Sequence, residues 1–139
     1  MTLVIDSNFF FALKAKNDKN HLRSLEILND IKKNNKKLKI TPYLVLNETI
    51  TLAVSKYKAN LHYLDKFYKL FWGEDKFFQI IQLIPSEYEE VFHILKKYCT
   101  YKRLLSFVDA SLIYLYENKN ADYILSFDSH FDHITNRLF

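Results

Sequence analysis

Glycine is almost missing from this chain, with Gly73 alone among 139 residues. That scarcity excludes whole classes of enzyme, because a phosphate-cradling P-loop and a dinucleotide-binding turn each need several glycines where backbone approaches phosphate. Cysteine is equally scarce. Cys99 alone cannot close an internal disulfide or build a cysteine-rich metal knuckle, which suits a reducing compartment and leads us to expect a cytoplasmic protein. No apolar run approaches the roughly 18 residues of a membrane span. The start, Met1-Thr2-Leu3-Val4-Ile5, runs straight into Asp6 without a basic leader or a long apolar core, so residue 1 is expected to begin the fold. We expect a soluble protein with no membrane partner.

What is present is a globular balance, 49% hydrophobic and 26% charged residues. At this length one domain, 1–139, is expected to bury about two-thirds of the surface its unfolded form exposes. Lys and Arg outnumber Asp and Glu by 20 to 16, giving a net charge of +4 and a pI near 9.0, a mild bias toward anionic partners.

Thr2–Ile5 reads as a buried strand ending at Asp6, and Asn8–Leu13 as a short helix. Leu22, Leu25, Ile27, Leu28 and Ile31 recur at helical spacing up to Asn34-Asn35, and Leu38–Ile40 is a second strand. Thr41-Pro42 has the composition of a helix start, with Thr as cap, and the helix should reach Tyr57. Further helices are expected over Leu61–Trp72, from a Ser86/Glu89 capping box, and from Ser106; further strands over Phe78–Ile84, over Asp122–Ser126 and near Ile134. Alternating strands and helices imply an α/β fold with a parallel sheet between helical layers.

In such a sheet the binding crevice lies beyond the carboxyl ends of the strands. Asp6 and Asp128 each follow a strand there, Asp109 sits in the first turn of a helix, and Glu48 shares a helix face with Leu44 and Leu52 that is expected to point inward. Crowded carboxylates raise one another's pKa unless a cation neutralises them. An all-oxygen donor set favours Mg²⁺ or Mn²⁺, ions that polarise phosphate and lower the pKa of an attacking water.

The segments Val4-Ile5-Asp6-Ser7-Asn8, Glu48, Ser106-Phe107-Val108-Asp109-Ala110 and Ser126-Phe127-Asp128-Ser129-His130-Phe131 together resemble the four motifs of PIN domains. The resemblance spans the chain and implies a PIN-like three-layer α/β/α fold with a central parallel sheet of four to five strands. It also implies a Mg²⁺- or Mn²⁺-dependent endoribonuclease. On it, Asp6, Glu48, Asp109 and Asp128 are catalytic acids and metal ligands, while Ser7, Asn8 and Ser126 orient them and Asp132 lies near enough to assist. In size the chain resembles the toxin members, of the virulence-associated protein C type. That likeness implies an RNA substrate and an antitoxin partner; a homodimer is expected as well. A housekeeping RNA-processing nuclease and a non-catalytic PIN-like binding module are the alternatives.

Structural roles compete for the same residues. Asp6 can be a turn residue, Asp109 can serve only as the far end of a capping box with Ser106, and Glu48 can pair with a lysine. The group Asp128, His130, Asp132 and His133 lacks the helical His pair of a zinc site, and no glycine-flanked elbow holds a nucleophilic serine. A dehalogenase-type site needs an acid where Asn8 stands, and a receiver domain needs a lysine after the strand that ends at Ser126. Lys32, Lys33, Lys36, Lys37 and Lys39 either steer RNA phosphates or cap a helix end. The aromatic stretch from Tyr63 to Phe78 has no counterpart in the motifs and is read as core or as a dimer or antitoxin surface.

Overall fold

The computed structural model describes residues 1–139. The elements run β1 (Thr2–Ile5), α1 (Ser7–Lys14), α2 (His21–Lys33), β2 (Leu38–Pro42), α3 (Tyr43–Lys56), α4 (Leu61–Phe71), β3 (Gln79–Ile81), α5 (Pro85–Tyr98), α6 (Phe107–Asn118), β4 (Tyr123–Leu125), a 3-10 turn at Ser129–Phe131, and β5 (Arg137–Leu138). All five strands are parallel, in the order β3-β2-β1-β4-β5. The three-layer α/β/α architecture expected from the sequence is the one observed.

β1 is central because Leu3, Val4 and Ile5 are apolar on both faces, and all three are fully buried. Helix α6 lies along β1, β2 and β4 with α5 packed on it, while α1, α2, α3 and α4 pack on one another. The aromatic stretch divides. Phe67, Phe71 and Phe78 are core, and Phe10 packs its ring 4.5 Å from Phe78 and 5.3 Å from Phe71. Tyr68 and Trp72 instead stack on each other at 5.8 Å in the open.

Several boundaries depart from the sequence reading. Thr41 does not cap α3; it is buried at the end of β2 and its hydroxyl donates to the Ile5 carbonyl at 2.7 Å, so Pro42 becomes the N-cap. The capping partner of α5 is Glu87, whose carboxylate accepts from the Ile84 N–H at 3.4 Å, because Pro85 starts the helix one residue before Ser86. The expected strand over Phe78–Ile84 shrinks to Gln79–Ile81, and the last strand lies at Arg137–Leu138 rather than near Ile134. The lysine run spans the last turn of α2, the loop after it and the start of β2, at the amino end of the sheet and opposite Asp6. It cannot carry phosphates directly to the acids.

Gly73 sits in the tight exit of α4, where a Cβ would lie 2.9 Å from the Lys69 Cα. With that glycine committed, the α3–α4 turn uses Lys58 at φ 51° and Ala59 at φ 57°. A Cβ in the left-handed region costs roughly 1–2 kcal/mol, partly offset by the greater freedom glycine has when unfolded. Ala59→Gly should therefore stabilise the protein by about 0.5–1 kcal/mol. A urea-unfolding midpoint that falls instead would refute this.

Candidate active site

The parallel strands point their carboxyl ends at one crevice, and β1 delivers Asp6 into it as the N-cap of α1. The side chain is only 4% exposed. Oδ1 accepts from the Ser7 N–H at 2.6 Å and Oδ2 from the Ser126 hydroxyl at 2.7 Å. Ser126 is itself held: its Oγ accepts from Asn8 Nδ2 at 3.1 Å and from the Asp128 N–H at 3.0 Å. Asn8 Oδ1 accepts from the Phe127 N–H at 3.1 Å. Ser7, Asn8 and Ser126 thus join the end of β1 to the segment after β4 and fix the Asp6 rotamer.

Glu48 arrives from α3, and the Ser7 hydroxyl donates to its Oε1. The helix face it shares is not the inward one expected. Val45, Leu46, Thr49 and Ala53 are buried, whereas Leu52 is 36% exposed, so Leu44, Glu48 and Leu52 form the wall of an open groove. Glu48 thereby avoids the cost of an acid in the core. Its anchor is a serine, not the lysine that would have made it a plain ion pair.

Asp109 is half-buried in the first turn of α6, in a reciprocal capping box with Ser106: Ser106 N–H to Asp109 Oδ2 at 2.9 Å and Asp109 N–H to Ser106 Oγ at 3.0 Å. Capping and membership of the site coincide here. Asp128 caps the 3-10 turn, accepting from the His130 N–H at 2.9 Å, and its Oδ2 lies 3.2 Å from His130 Nδ1. Asp132 is turned to another purpose. Arg137 donates to both its oxygens, at 2.7 and 3.1 Å, and holds its carboxyl below the usual range. It anchors β5.

The electrostatics show an excess of negative charge. Burial drives Asp6 from the usual 3.8 to about 7, against the Ser126 hydrogen bond, and the charges of Asp109 and Glu48 push it the same way. Burial also raises Asp109; the Ser106 N–H opposes this, Asp128 adds to it and His130 relieves it. The acids converge from distant segments, but they do not close a cage: no three His, Cys, Asp or Glu side chains stand close enough to hold a metal ion by themselves. That is looser than the crowding expected from the sequence. Mg²⁺ is commonly held by one or two carboxylates with waters and substrate phosphates completing its shell, and an open, all-oxygen donor set with unrelieved repulsion suits it.

Sequence reasoning took Thr41 for a helix cap and did not foresee that its hydroxyl ties the ends of β1 and β2 together. Nor did it find the exposed row Asn47, Thr51 and Ser55 beside Glu48, though the i, i+4 spacing was available.

No family model matches the sequence, and no curated protein is similar to it. Solved structures nevertheless share its architecture. VapC20 of Mycobacterium tuberculosis, described as a sarcin-ricin loop cleaving toxin, superposes with a TM-score of 0.71 at 19% identity, over 91% of this chain and 89% of that one. VapBC2 from Rickettsia felis, bound to a DNA fragment from their promoter, gives 0.66 at 17% identity over 99% and 98%. PAE2754 from Pyrobaculum aerophilum gives 0.61 at 19% over 97% and 85%. The chain has the PIN-like fold.

Proposed function

We propose that this chain is a divalent-metal-dependent endoribonuclease that hydrolyses RNA phosphodiester bonds as the toxin of a toxin–antitoxin pair. The observation that carries the reading is the convergence of Asp6, Glu48, Asp109 and Asp128, from four separate segments, on one crevice at the carboxyl ends of the strands. The fold shared with VapC20, itself a toxin, and with VapBC2 supports the toxin role.

One or two of the carboxylates of Asp6, Glu48, Asp109 and Asp128, with waters and substrate phosphate completing the shell, would hold Mg²⁺ or Mn²⁺. When bound, the ion neutralises phosphate charge and lowers the pKa of an attacking water. Ser7 and Ser126 keep the Asp6 oxygens aimed into the crevice. Glu48, which accepts from the Ser7 hydroxyl and lines the groove, would accept the proton of that water. The exposed Trp72, stacked on Tyr68, lines with Tyr43, Leu46, Ile50, Asn47 and Thr51 a hollow of about 250 Å³ that offers a largely apolar surface for an antitoxin or a second copy of the chain.

Purified protein should cut RNA with Mn²⁺, stop in EDTA, and lose activity in Asp109→Asn. Equal cutting by the variant and the wild type would assign the activity to a contaminant. In cells a toxin should arrest growth and its antitoxin should restore it, whereas a housekeeping nuclease would leave growth intact.

A further inference from the structure

A groove of about 520 Å³ opens directly from Glu48. One wall is α3, which presents two parallel rows: Leu44, Glu48 and Leu52, and beside them Asn47, Thr51 and Ser55. The other wall is Val108 of α6, the residue immediately before Asp109. Both walls are therefore direct continuations of acid-bearing turns. A molecule lying in the groove has its end at the acids.

The lining narrows what that molecule is. It contains no lysine or arginine and its one charged member is Glu48, so it has no cation to draw in a phosphate or an acidic peptide. It does offer apolar side chains for a flat ring face and neutral hydrogen-bonding groups for a ring edge. Thr51 Oγ1 donates to Asn47 Oδ1 at 3.3 Å, which orients the amide and leaves both Nδ2 protons for a carbonyl or ring nitrogen outside the protein.

We infer that this groove is a nucleobase subsite, in which Leu44, Leu52 and Val108 contact the face of an unstacked base next to the scissile phosphate and Asn47 reads its edge. The inference rests on the nuclease reading and deepens it. The substrate is RNA that is single-stranded at the cut, because a base held in a duplex cannot turn into such a groove, and single-stranded segments are where proteins read RNA sequence. Asn47 and Thr51 set the sequence preference, and the acids cut whatever the groove has seated.

The test is a pool of short oligoribonucleotides randomised around one position, cut with Mn²⁺ by the wild type and by Asn47→Ala/Thr51→Val, with the cut ends sequenced. Both side chains are exposed on a helix, and a thermal melt checks the fold. The wild type should prefer certain bases beside the cut. In the variant, kcat/KM for the favoured base should fall about tenfold further than for the least favoured base. An equal loss on every sequence, or no preference in the wild type, overturns the subsite. So does sedimentation showing a wild-type dimer that the variant splits, which would assign the groove to a second copy of the chain. Failure of the nuclease reading is separately visible: the wild type would then show no Mn²⁺-dependent cutting that Asp109→Asn abolishes.

Discussion

Asp6→Asn should lower RNA cleavage by about a thousandfold while leaving the protein folded, and at neutral pH the metal-free variant should melt several degrees higher than the wild type. The loss follows from position. Asp6 is the most buried of the four acids, and the hydrogen bonds from Ser7 and Ser126 aim it into the crevice; an amide keeps its shape but removes the charge that would attract a cation. Removing one preorganised electrostatic group from a site costs on the order of 10²–10³ in rate, and weakened metal affinity adds to that. The gain in stability has the same origin, since an acid raised to about 7 is a strained anion above that pH. The gain is partial. The amide has one acceptor oxygen where the carboxylate has two, so the Ser7 N–H and the Ser126 hydroxyl cannot both keep their present partner. Single-turnover cleavage and a melt of the same preparations check both halves. A variant that cuts normally would remove Asp6 from the mechanism.

The second large effect is on pH. In the unfolded chain Asp6 ionises near 3.8, whereas in the metal-free fold it holds its proton to about 7. Between those values the folded state binds more protons than the unfolded state, so stability must fall as pH rises. Below 3.8 both states are protonated and nothing is lost; above about 7 both are ionised and the loss levels off. The penalty at that plateau is on the order of 4 kcal/mol, and Asp109, raised in the same direction, adds to it. A cation that favours the ionised form relieves the penalty. Melting in EDTA should therefore show declining stability from about pH 4 to 7, and added Mn²⁺ should raise the melting temperature at pH 7.5 but not at pH 4. A profile that is flat in EDTA, or equally sloped in Asp6→Asn, would contradict the burial argument.

What could be read in advance was whatever local chemistry determines. β1 was legible to the residue, because a β-branched and aliphatic run buried on both faces has no other use, and the Ser106/Asp109 box was legible because its two hydrogen bonds close within one turn. The placement of Asp6, Asp109 and Asp128 was legible because Asp6 and Asp128 follow strands and Asp109 opens a helix. Features decided by a distant partner were not. Thr41 looks like a cap until the Ile5 carbonyl is seen beside it, and Asp132 looks free until Arg137 closes on it. Glu48 was assigned to the wrong face because the row Leu44, Glu48, Leu52 is apolar enough to pass for core, while the inward row depends on Thr49 and Ala53, which carry little hydrophobic signal. β5 was misplaced because two residues carry no period, and its position is set by pairing with β4.

That two-residue strand has reach beyond its size. The Leu138 carbonyl accepts from the Ser126 N–H at 3.1 Å, and Arg137 Nη1 donates to the Ser126 carbonyl at 3.3 Å. Both main-chain groups of the serine that steadies Asp6 are thus gripped from the tail of the chain. A descendant sequence could retain every carboxylate and still fall silent through drift at positions 137 and 138. Counting acids is consequently a poor way to sort working copies of this architecture from dead ones; the short strand behind Ser126 has to be inspected as well.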